Sequence, residues 1–247
     1  MNDITCYKKY LFVFAHPDDE VYCCGLMHQL IANKKGVGVA YITSGDAGVN
    51  ASSREDEILS SMQAIGINKE NIHLLRFPEK AVLSSFGEIS DSLRKLAQSL
   101  KPDCIVGMDY EGGHEGHDSA SFLTYKLAQS LKTEHFVFSV YHSRNNQRYA
   151  GDFLPTHKAT DVIKLSTDDI GIKIKVLEAH RGQIGHFLHL QRLNPEYFKL
   201  IFSREVFMKV KEQLDYSKKP TDEIGYESHS NGFKYENFKK AVRTLDE

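Results

Sequence analysis

The side chains best suited to chemistry occur in two short polar segments that each follow an apolar run. In the first, AHPDDE at residues 15–20, an imidazole and three carboxylates come directly after LFVF. In the second, YEGGHEGHD at residues 110–118, His114 and His117 stand three residues apart among glycines and acids. Buried carboxylates are costly unless a cation or several donors hold them. Two His and one carboxylate are the donor set of a catalytic zinc site and also of an iron(II) oxygenase.

Other pairs with ligand-like spacing lack these surroundings. His186 and His189 are also three apart, but GHFLHLQ is apolar, helical in pattern and without nearby acids, so we predict partly buried helix histidines. Cys24 and His28, one helical turn apart, receive the same interpretation. Without a C-x-x-C pair, the four cysteines indicate small, buried free thiols in a reducing compartment rather than a zinc knuckle. They are Cys6, Cys23, Cys24 and Cys104.

The elements that must position the two segments alternate in type over the first 145 residues. Helical patterns separate five apolar runs that we predict to be strands: YLFVFA, VGVAYITSG, NIHLLRF, DCIVGMD and HFVFSVYH. This alternation predicts βαβ units around a mainly parallel sheet. Because ligands bind beyond the carboxyl ends of parallel strands, we expect the polar segments after the first four strands to converge. They are AHPDDE, TSGDAG, RFPEK and DYEGGHEGHD.

After residue 145 the alternation weakens. We predict an edge strand or hairpin arm at TDVIKLS, mostly helix over residues 168–193, and a last helix at NPEYFKLIFSREVF. The tail over residues 216–240 shows no clear period. We therefore predict one α/β domain, residues 1–247, with a Rossmann-like three-layer core at about 9–190. A C-terminal accessory helical or irregular region would cover about 191–247.

Composition and charge give no sign of a nucleic acid or membrane partner. The chain has 41% hydrophobic and 26% charged residues and a net charge of -2. It contains no apolar run of about 18 residues, as a membrane-spanning helix requires. Neither a G-x-G-x-x-G after the first strand nor a P-loop is present. We expect no nucleic acid, no transmembrane segment and a cytoplasmic location, and we leave homo-oligomerisation open.

Taken together, the two polar segments resemble the LmbE-like or PIG-L family of metal-dependent N-deacetylases. The similarity extends, in order, over about residues 9–185, through TSGDAG, REDEILSSMQAIGI, LLRFPEK, KPDCIVGMD and KVLEAHRGQI. It implies an LmbE-like fold and a hydrolase that removes the acetyl group from an N-acetylglucosamine-type sugar or its conjugate. It also implies Zn²⁺ as the cofactor, with Fe²⁺ or Co²⁺ as alternatives.

The resemblance further implies a role for each matching residue. His16, Asp19 and His117 match the metal ligands, and Asp18 matches the general base. His114 matches a protonated histidine that stabilises the oxyanion or protonates the leaving amine. Three more residues match positions that contact sugar hydroxyls or shape the pocket, namely Arg54, Asp46 and Glu79, and Tyr110 is also assigned to substrate binding.

Several departures from the family pattern leave the substrate open. Asp46 and Glu79 stand where the family commonly has Glu and Asp, Gly182 replaces a Ser, and Glu115-Gly116 replaces Pro-Asp. The alternatives are a hydrolase of another N-acyl amide, an iron(II) oxygenase, and a metal-dependent carbohydrate-binding protein or inactive homologue. The extra acid Asp18 disfavours the oxygenase, and the intact base and acid disfavour the binding protein.

Overall fold

Within the described part of the chain, seven strands form one mainly parallel sheet, and two more form a separate hairpin. The computed structural model describes residues 3–46, 51–183, 185, 195–211, 214–229 and 233–246. Its strands are β1 (Lys9–Phe14), β2 (Gly36–Thr43), β3 (Ile72–Phe77), β4 (Cys104–Met108), β5 (Glu134–Phe138), β6 (Tyr141–Arg144), β7 (Gln147–Ala150), β8 (Asp161–Lys164) and β9 (Arg204–Lys209). The large sheet has the order β3-β2-β1-β4-β5-β9-β8, and β6 pairs with β7.

Two groups of helices flank the sheet, which gives the predicted three-layer α/β fold. The helices are α1 (Cys24–Ala32), α2 (Ala51–Ile65), α3 (Phe86–Leu100), α4 (Glu115–Leu131), α5 (Thr167–Ala179), α6 (Pro195–Ser203), α7 (Gly225–His229) and α8 (Tyr235–Asp246). In one group α1, α2 and α5 contact each other, and in the other α4 contacts α3 and α8. No described helix is both long and apolar enough to cross a membrane.

The central strands are apolar throughout because helices cover both of their faces. Every residue of β4 and all but the first of β1 are buried. The strands β1, β2, β3, β4 and β5 run parallel, so their carboxyl ends meet at one edge. The polar segment after each of the first four therefore begins at the same edge, as the sequence predicts.

Two predictions about the second half of the chain were wrong. HFVFSVYH is not one strand, because the buried Glu111 carboxylate accepts hydrogen bonds from Ser139 Oγ and the Val140 N–H and the chain leaves the sheet there. SREVF does not end the last helix, because Arg204–Lys209 forms β9 between β5 and β8. The pairing partners of β9 are distant in sequence, so the local pattern did not reveal it.

In the C-terminal region, which we predicted to be helical or irregular, the tail without a clear period contains the helix α8. Apolar residues at 235, 238, 242 and 245 follow helical spacing in α8, and the first three of these side chains are buried. Of the cysteines, Cys6 is exposed and the other three are buried, as expected for them. The pair His186 and His189 lies outside the described residues.

Candidate metal and catalytic site

A cavity of about 340 Å³ lies at the carboxyl edge of the sheet. Its lining residues are His16, Asp18, Asp19, Tyr22, Gly45, Arg54, Glu79, His114, His117, Val140, Tyr141, Arg148 and Gln183. The structure thus brings together all the predicted site residues except Asp46 and Tyr110. A larger cavity of about 630 Å³ lies between α3 and α8, and its described lining residues include no His, Cys or carboxylate that could serve as a comparable donor set.

The segment after β1 turns back on itself so that two adjacent aspartates point to different partners. Asp18 has a left-handed backbone with φ of 101°, an uncommon conformation for a residue other than glycine. Its N–H donates to Glu20 Oε2 at 3.0 Å. Asp19 then begins a short 3₁₀ turn, and its Oδ2 accepts the His16 N–H at 2.7 Å. This turn places the Asp19 carboxylate beside the His16 ring.

The segment after β4 supplies two histidines at the start of α4. His114 is the N-cap, and its Nδ1 accepts the Gly116 N–H at 3.0 Å. His117 follows in the first turn and is buried. A Cβ on Gly116 would lie 2.5 Å from His16 Cε1, so only glycine allows this close approach. This segment contains Gly112, Gly113 and Gly116, and of the three Gly112 alone has a positive φ, at +70°.

The donor atoms of this cluster fit a divalent cation. His117 Nε2 lies 3.1 Å from Asp19 Oδ1, and His16 Nδ1 lies 3.6 Å from Asp19 Oδ2. Two atoms bound to one tetrahedral zinc at about 2.0–2.1 Å lie roughly 3.3 Å apart. The buried His16 Nε2 and His117 Nδ1 have no hydrogen-bond partner among the described residues. Each ring thus turns one nitrogen toward Asp19 and leaves the opposite nitrogen without a hydrogen-bond partner in the described part of the chain, so both histidines have a nitrogen available to an ion.

His114 competes with Asp19 for the place of third ligand. One donor atom from each of His16, His114 and His117 fits within 4.8 Å of the others. The predicted set instead takes Asp19 with the same two histidines. His16 and His117 are therefore common to both sets, and the geometry alone leaves the third donor as Asp19 or His114.

The electrostatics of the site separate the two adjacent aspartates. Burial would raise the pKa of Asp19, but His117 and His16 beside it hold that pKa far below its ordinary value. Burial and the Asp19 charge raise the pKa of Asp18 to about 7. A bound cation would oppose this rise. Burial, followed by the neighbouring His16 and His117, lowers the pKa of His114 well below its ordinary value, which favours the neutral imidazole.

Arg54 makes its contacts with the protein itself. Its guanidinium donates to the Pro17 carbonyl at 2.6 Å and to Glu57 Oε2 at 2.5 Å, and it lies 3.4 Å from Asp18 Oδ2. The side chain is only 4% exposed. In this arrangement Arg54 holds the turn that carries Asp18, which agrees better with shaping the pocket than with contacting sugar hydroxyls, the two roles that the resemblance implies.

A buried histidine from the end of α5 completes the support behind Asp18. His180 Nε2 lies 2.6 Å from Glu20 Oε1, and its Nδ1 lies 3.6 Å from Glu57 Oε2. Ser61 Oγ donates to the same Glu20 oxygen. Through Glu20 and Glu57, His180 connects the AHRGQ segment to the loop that holds the candidate base.

Glu79 and Asp46 occupy one rim of the cavity. Glu79 Oε1 lies 3.6 Å from His16 Nε2 and 3.7 Å from His114 Nε2. Asp46 is exposed, and its Oδ1 accepts the Glu79 N–H at 3.1 Å. Asp46 therefore contacts the loop that carries Glu79, while only Glu79 reaches the cavity.

Tyr110 does not reach the cavity. Its hydroxyl donates to the Lys218 carbonyl at 2.8 Å. Its ring lies 4.6 Å from that of Tyr216 and 5.7 Å from that of Phe238, measured between centroids. These contacts place Tyr110 in the packing between the C-terminal region and α4, so the structure gives its assignment to substrate binding no geometric support.

The sequence reasoning missed the lining residues that come from the β6–β7 hairpin. Tyr141 and Arg148 lie on this hairpin, and the Arg148 guanidinium is 4.6 Å from the centre of the Tyr141 ring. Asn145 and Asn146, both with positive φ, form its tip. An Asn-Asn pair between short aromatic and polar runs is a hairpin signal that could have revealed it. Gln183, which also lines the cavity, was missed as well, although the AHRGQ segment that contains it carried part of the resemblance.

Residues 11–128 match the protein family described as PIG-L, GlcNAc-PI de-N-acetylase. Among curated proteins, the "Probable N-acetyl-alpha-D-glucosaminyl L-malate deacetylase 2" of Bacillus cereus is 25% identical over 194 residues, which cover 71% of this chain and 84% of the relative. The "Probable N-acetylglucosaminyl-phosphatidylinositol de-N-acetylase" of Schizosaccharomyces pombe is 27% identical over 118 residues, 44% of this chain and 48% of that protein.

A solved structure shares the fold. The N,N'-diacetylchitobiose deacetylase of Pyrococcus horikoshii, complexed with its inhibitor MPG, aligns with a TM-score of 0.64. The alignment covers 85% of this chain and 86% of that one at 20% identity. At this level of identity the likeness establishes the architecture, and the chemistry must be argued from the site.

Proposed function

We propose that the chain, whose residues 11–128 match the PIG-L family, is a metal-dependent N-deacetylase acting on an N-acetylglucosamine-type sugar or its conjugate. One observation carries the proposal. His16 and His117, with Asp19 or His114 as a third donor, line a cavity that also holds the separate carboxylate of Asp18. Metal-assisted amide hydrolysis needs both, namely ligands for the ion and a base that is not a ligand.

We propose that His16, Asp19 and His117 hold the ion and that it is Zn²⁺. A zinc ion there would supply Lewis acidity, which makes water a nucleophile at neutral pH and polarises the amide carbonyl. The preference for Asp19 over His114 rests on its two oxygens, which face His117 and His16 separately. Fe²⁺ and Co²⁺ accept the same donors, so the metal-swapped protein has to be compared.

Asp18 is proposed as the general base because it lines the cavity without bonding to either histidine of the ligand set. Arg54 and the Glu20 carboxylate fix its position through the Pro17 carbonyl and the Asp18 N–H. Asp18 would take a proton from the attacking water as the new carbon–oxygen bond forms. The same proton would pass to the nitrogen as the carbon–nitrogen bond breaks, releasing acetate and the free amine.

His114 is proposed to donate a hydrogen bond to the developing oxyanion. Because its Nδ1 accepts the Gly116 N–H, a neutral His114 ring carries its own proton on Nε2. This differs from the protonated histidine that the resemblance implies. A preorganised neutral donor of this kind still stabilises an oxyanion, by about 2.7–4 kcal/mol in a well-studied protease.

The experiment that tests the function is acetate release. The zinc-loaded protein would be assayed on a panel of N-acetylglucosamine glycosides and phosphates, with Asp18→Asn as the matched variant. We expect Asp18→Asn to lower turnover by at least about a hundredfold while it keeps stoichiometric zinc, as the loss of a general base implies. Near-normal turnover in this variant would remove Asp18 from the role. Bound zinc with no release on any substrate would instead favour a binding protein or another acyl amide.

Metal content tests the ligand set independently of activity. We expect His117→Ala to lose zinc, measured by mass spectrometry after dialysis, and His114→Ala to retain it. Stoichiometric zinc in His117→Ala would show that the set is wrong, and loss of zinc in His114→Ala would make His114 the third ligand. The cytoplasmic location and any homo-oligomer remain proposals for fractionation and sedimentation experiments.

A further inference from the structure

One basic side chain that lines the cavity, Arg148, makes no ion pair among the described residues. Arg148 lines the cavity beside Tyr141, on the β6–β7 hairpin. In the paired register Ser143 lies opposite Arg148, so Tyr141, Ser143 and Arg148 share one face of the hairpin. The structure thus directs a half-buried guanidinium toward the same space as the candidate catalytic groups.

Arg148 differs from the other arginine of the cavity. Arg54 is committed to Glu57, Pro17 and Asp18. Among the described residues, Arg148 makes no ion pair with a carboxylate, and its contact is the Tyr141 ring. A guanidinium presents five N–H donors, and a ring contact satisfies none of them. Of the described residues that line this cavity, Arg148 is therefore the cation available to a ligand.

The hairpin holds Arg148 in place without using its charge. The N–H groups of Asn145 and Asn146 at the hairpin tip donate to the Glu223 carboxylate at 2.7 and 3.0 Å. At the other end, the Glu111 carboxylate accepts the Val140 N–H at 2.6 Å. Both ends of the hairpin are tied to other parts of the chain, so Arg148 is carried on a supported element and loses little freedom on binding.

The charges of the cavity make a cation necessary for an anionic ligand. Asp18, Asp19 and Glu79 contribute carboxylates to the lining. Their three negative charges exceed the two positive charges of the proposed ion, so an anion needs a further positive group beside it. Arginine is suited to this task because its planar fork pairs with carboxylate or phosphate through two parallel hydrogen bonds.

We infer that Arg148 binds an anionic group, a carboxylate or a phosphate, on the part of the substrate attached to the amino sugar. The inference rests on the proposed function and narrows its substrate to acidic conjugates of N-acetylglucosamine. The acetamide would lie among His16, Asp18 and His114, and the anion would lie at the hairpin. A neutral sugar would leave the guanidinium donors to water.

The test compares three substrates that differ in the anomeric group. They are methyl N-acetyl-α-glucosaminide, carboxymethyl N-acetyl-α-glucosaminide and N-acetylglucosamine 1-phosphate. We expect the zinc-loaded protein to prefer one or both anions, and Arg148→Met to lower the anion-to-neutral ratio of kcat/KM by about 10- to 100-fold, as expected for losing a hydrogen bond to a charged group. The anion with the larger loss identifies carboxylate or phosphate.

The chain supplies a matched control. Arg144 lies on the opposite face of the same hairpin, is exposed, and also covers a tyrosine ring at 4.6 Å, that of Tyr149. Arg144→Met should leave the substrate ratio unchanged. Arg148→Lys keeps the charge without the fork, so it should give an intermediate ratio and serves if Arg148→Met does not fold. Equal losses on all three substrates, or equal ratios in both Met variants, would overturn the inference.

Binding to the metal-free protein separates this inference from the proposed function. Calorimetry with glucosamine 1-phosphate, carboxymethyl glucosaminide and methyl glucosaminide needs no turnover. Weaker binding of an anion in Arg148→Met, with no effect of Arg144→Met, would support the anion site even if no acetate were released. Acetate release without any anion preference or anion binding would support the deacetylase and reject the role of Arg148.

Discussion

The buried ion pair between His180 and Glu20 gives the most quantitative prediction. Both side chains are fully buried and meet at 2.6 Å. Replacing His180 by Gln would leave the Glu20 carboxylate buried without its cation. Breaking a buried pair in this way costs about 3–5 kcal/mol in the free energy of unfolding. The double variant Glu20→Gln/His180→Gln leaves two neutral amides that can hydrogen-bond, so it should recover most of this loss.

The pKa of His180 agrees with this magnitude. Burial would lower that pKa, but Glu20 first, and Glu57 and Asp18 with it, raise it from 6.5 to about 10. Glu57 is shared with Arg54, whose guanidinium binds the same Glu57 oxygen that faces His180. At about 1.36 kcal/mol for each pKa unit, a rise of this size corresponds to roughly 5 kcal/mol as an upper limit.

The sign of the pH dependence follows from the same shift. A pKa that is raised in the folded protein gives a stabilisation that is complete below 6.5 and is lost as the pH approaches 10. Between pH 6 and 9, the wild type should therefore lose about 3 kcal/mol relative to the double variant. Urea denaturation of both proteins across this range measures the difference, because groups common to the two proteins cancel.

His135 provides the control of opposite sign. Burial alone lowers the pKa of His135 from 6.5 to about 4. His135 therefore lowers the free energy of unfolding only below about pH 6.5, where the unfolded chain takes up a proton. The difference between wild type and His135→Gln should not change between pH 7 and 9. A flat difference between wild type and the double variant, or a cost below about 1 kcal/mol for His180→Gln, would refute the charged pair.

Two further predictions concern close packing and a second buried pair. Gly116→Ala should displace the His16 ring and weaken zinc binding by about 10- to 100-fold in a competition titration. The control Gly171→Ala, in open space on α5, should leave zinc affinity unchanged and stabilise the protein by about 0.5–1 kcal/mol. Equal zinc affinities of the two variants would contradict the contact between residue 116 and His16. Lys173→Met should lower the free energy of unfolding by about 3–5 kcal/mol, because Glu205, which lies 2.8 Å from the Lys173 ammonium, would stay buried without a cation. Glu205 also accepts the Gly25 and Leu26 N–H groups, so partial recovery in Lys173→Met/Glu205→Gln, which keeps an acceptor, would confirm this cause, and a loss below about 1 kcal/mol in Lys173→Met would contradict it.

The parts of the site that follow strands could be predicted because local pattern and topology agree there. An apolar run that ends in AHPDDE must leave the sheet at the carboxyl end of β1. DYEGGHEGHD does the same after β4, which is the neighbour of β1 in the sheet. Parallel pairing then brings His16 and His117 together without any knowledge of side-chain contacts. The fold class follows from the same alternation of strands and helices.

The parts that were missed depend on contacts between distant residues. β9 could not be read from SREVF, because its stability comes from β5 and β8 and not from its own period. The contacts of Arg54 depend on Glu57 beside Pro17 and Asp18, which only the folded turn brings together. Tyr110 follows β4 like the other site residues, but its ring packs toward Tyr216, which no local pattern indicates.

The position of β9 has a consequence for how the protein is made. β5 and β8 both pair with β9, and these two strands are synthesised well before residue 204. On the ribosome, the free edge of β5 would therefore wait for its neighbour while the metal-site residues and the strands that carry them are already complete. An unpaired strand edge is a site for aggregation. The nascent chain could thus assemble the half that carries the metal-site residues early, while the edge of β5 still needs protection from aggregation until β9 pairs with it.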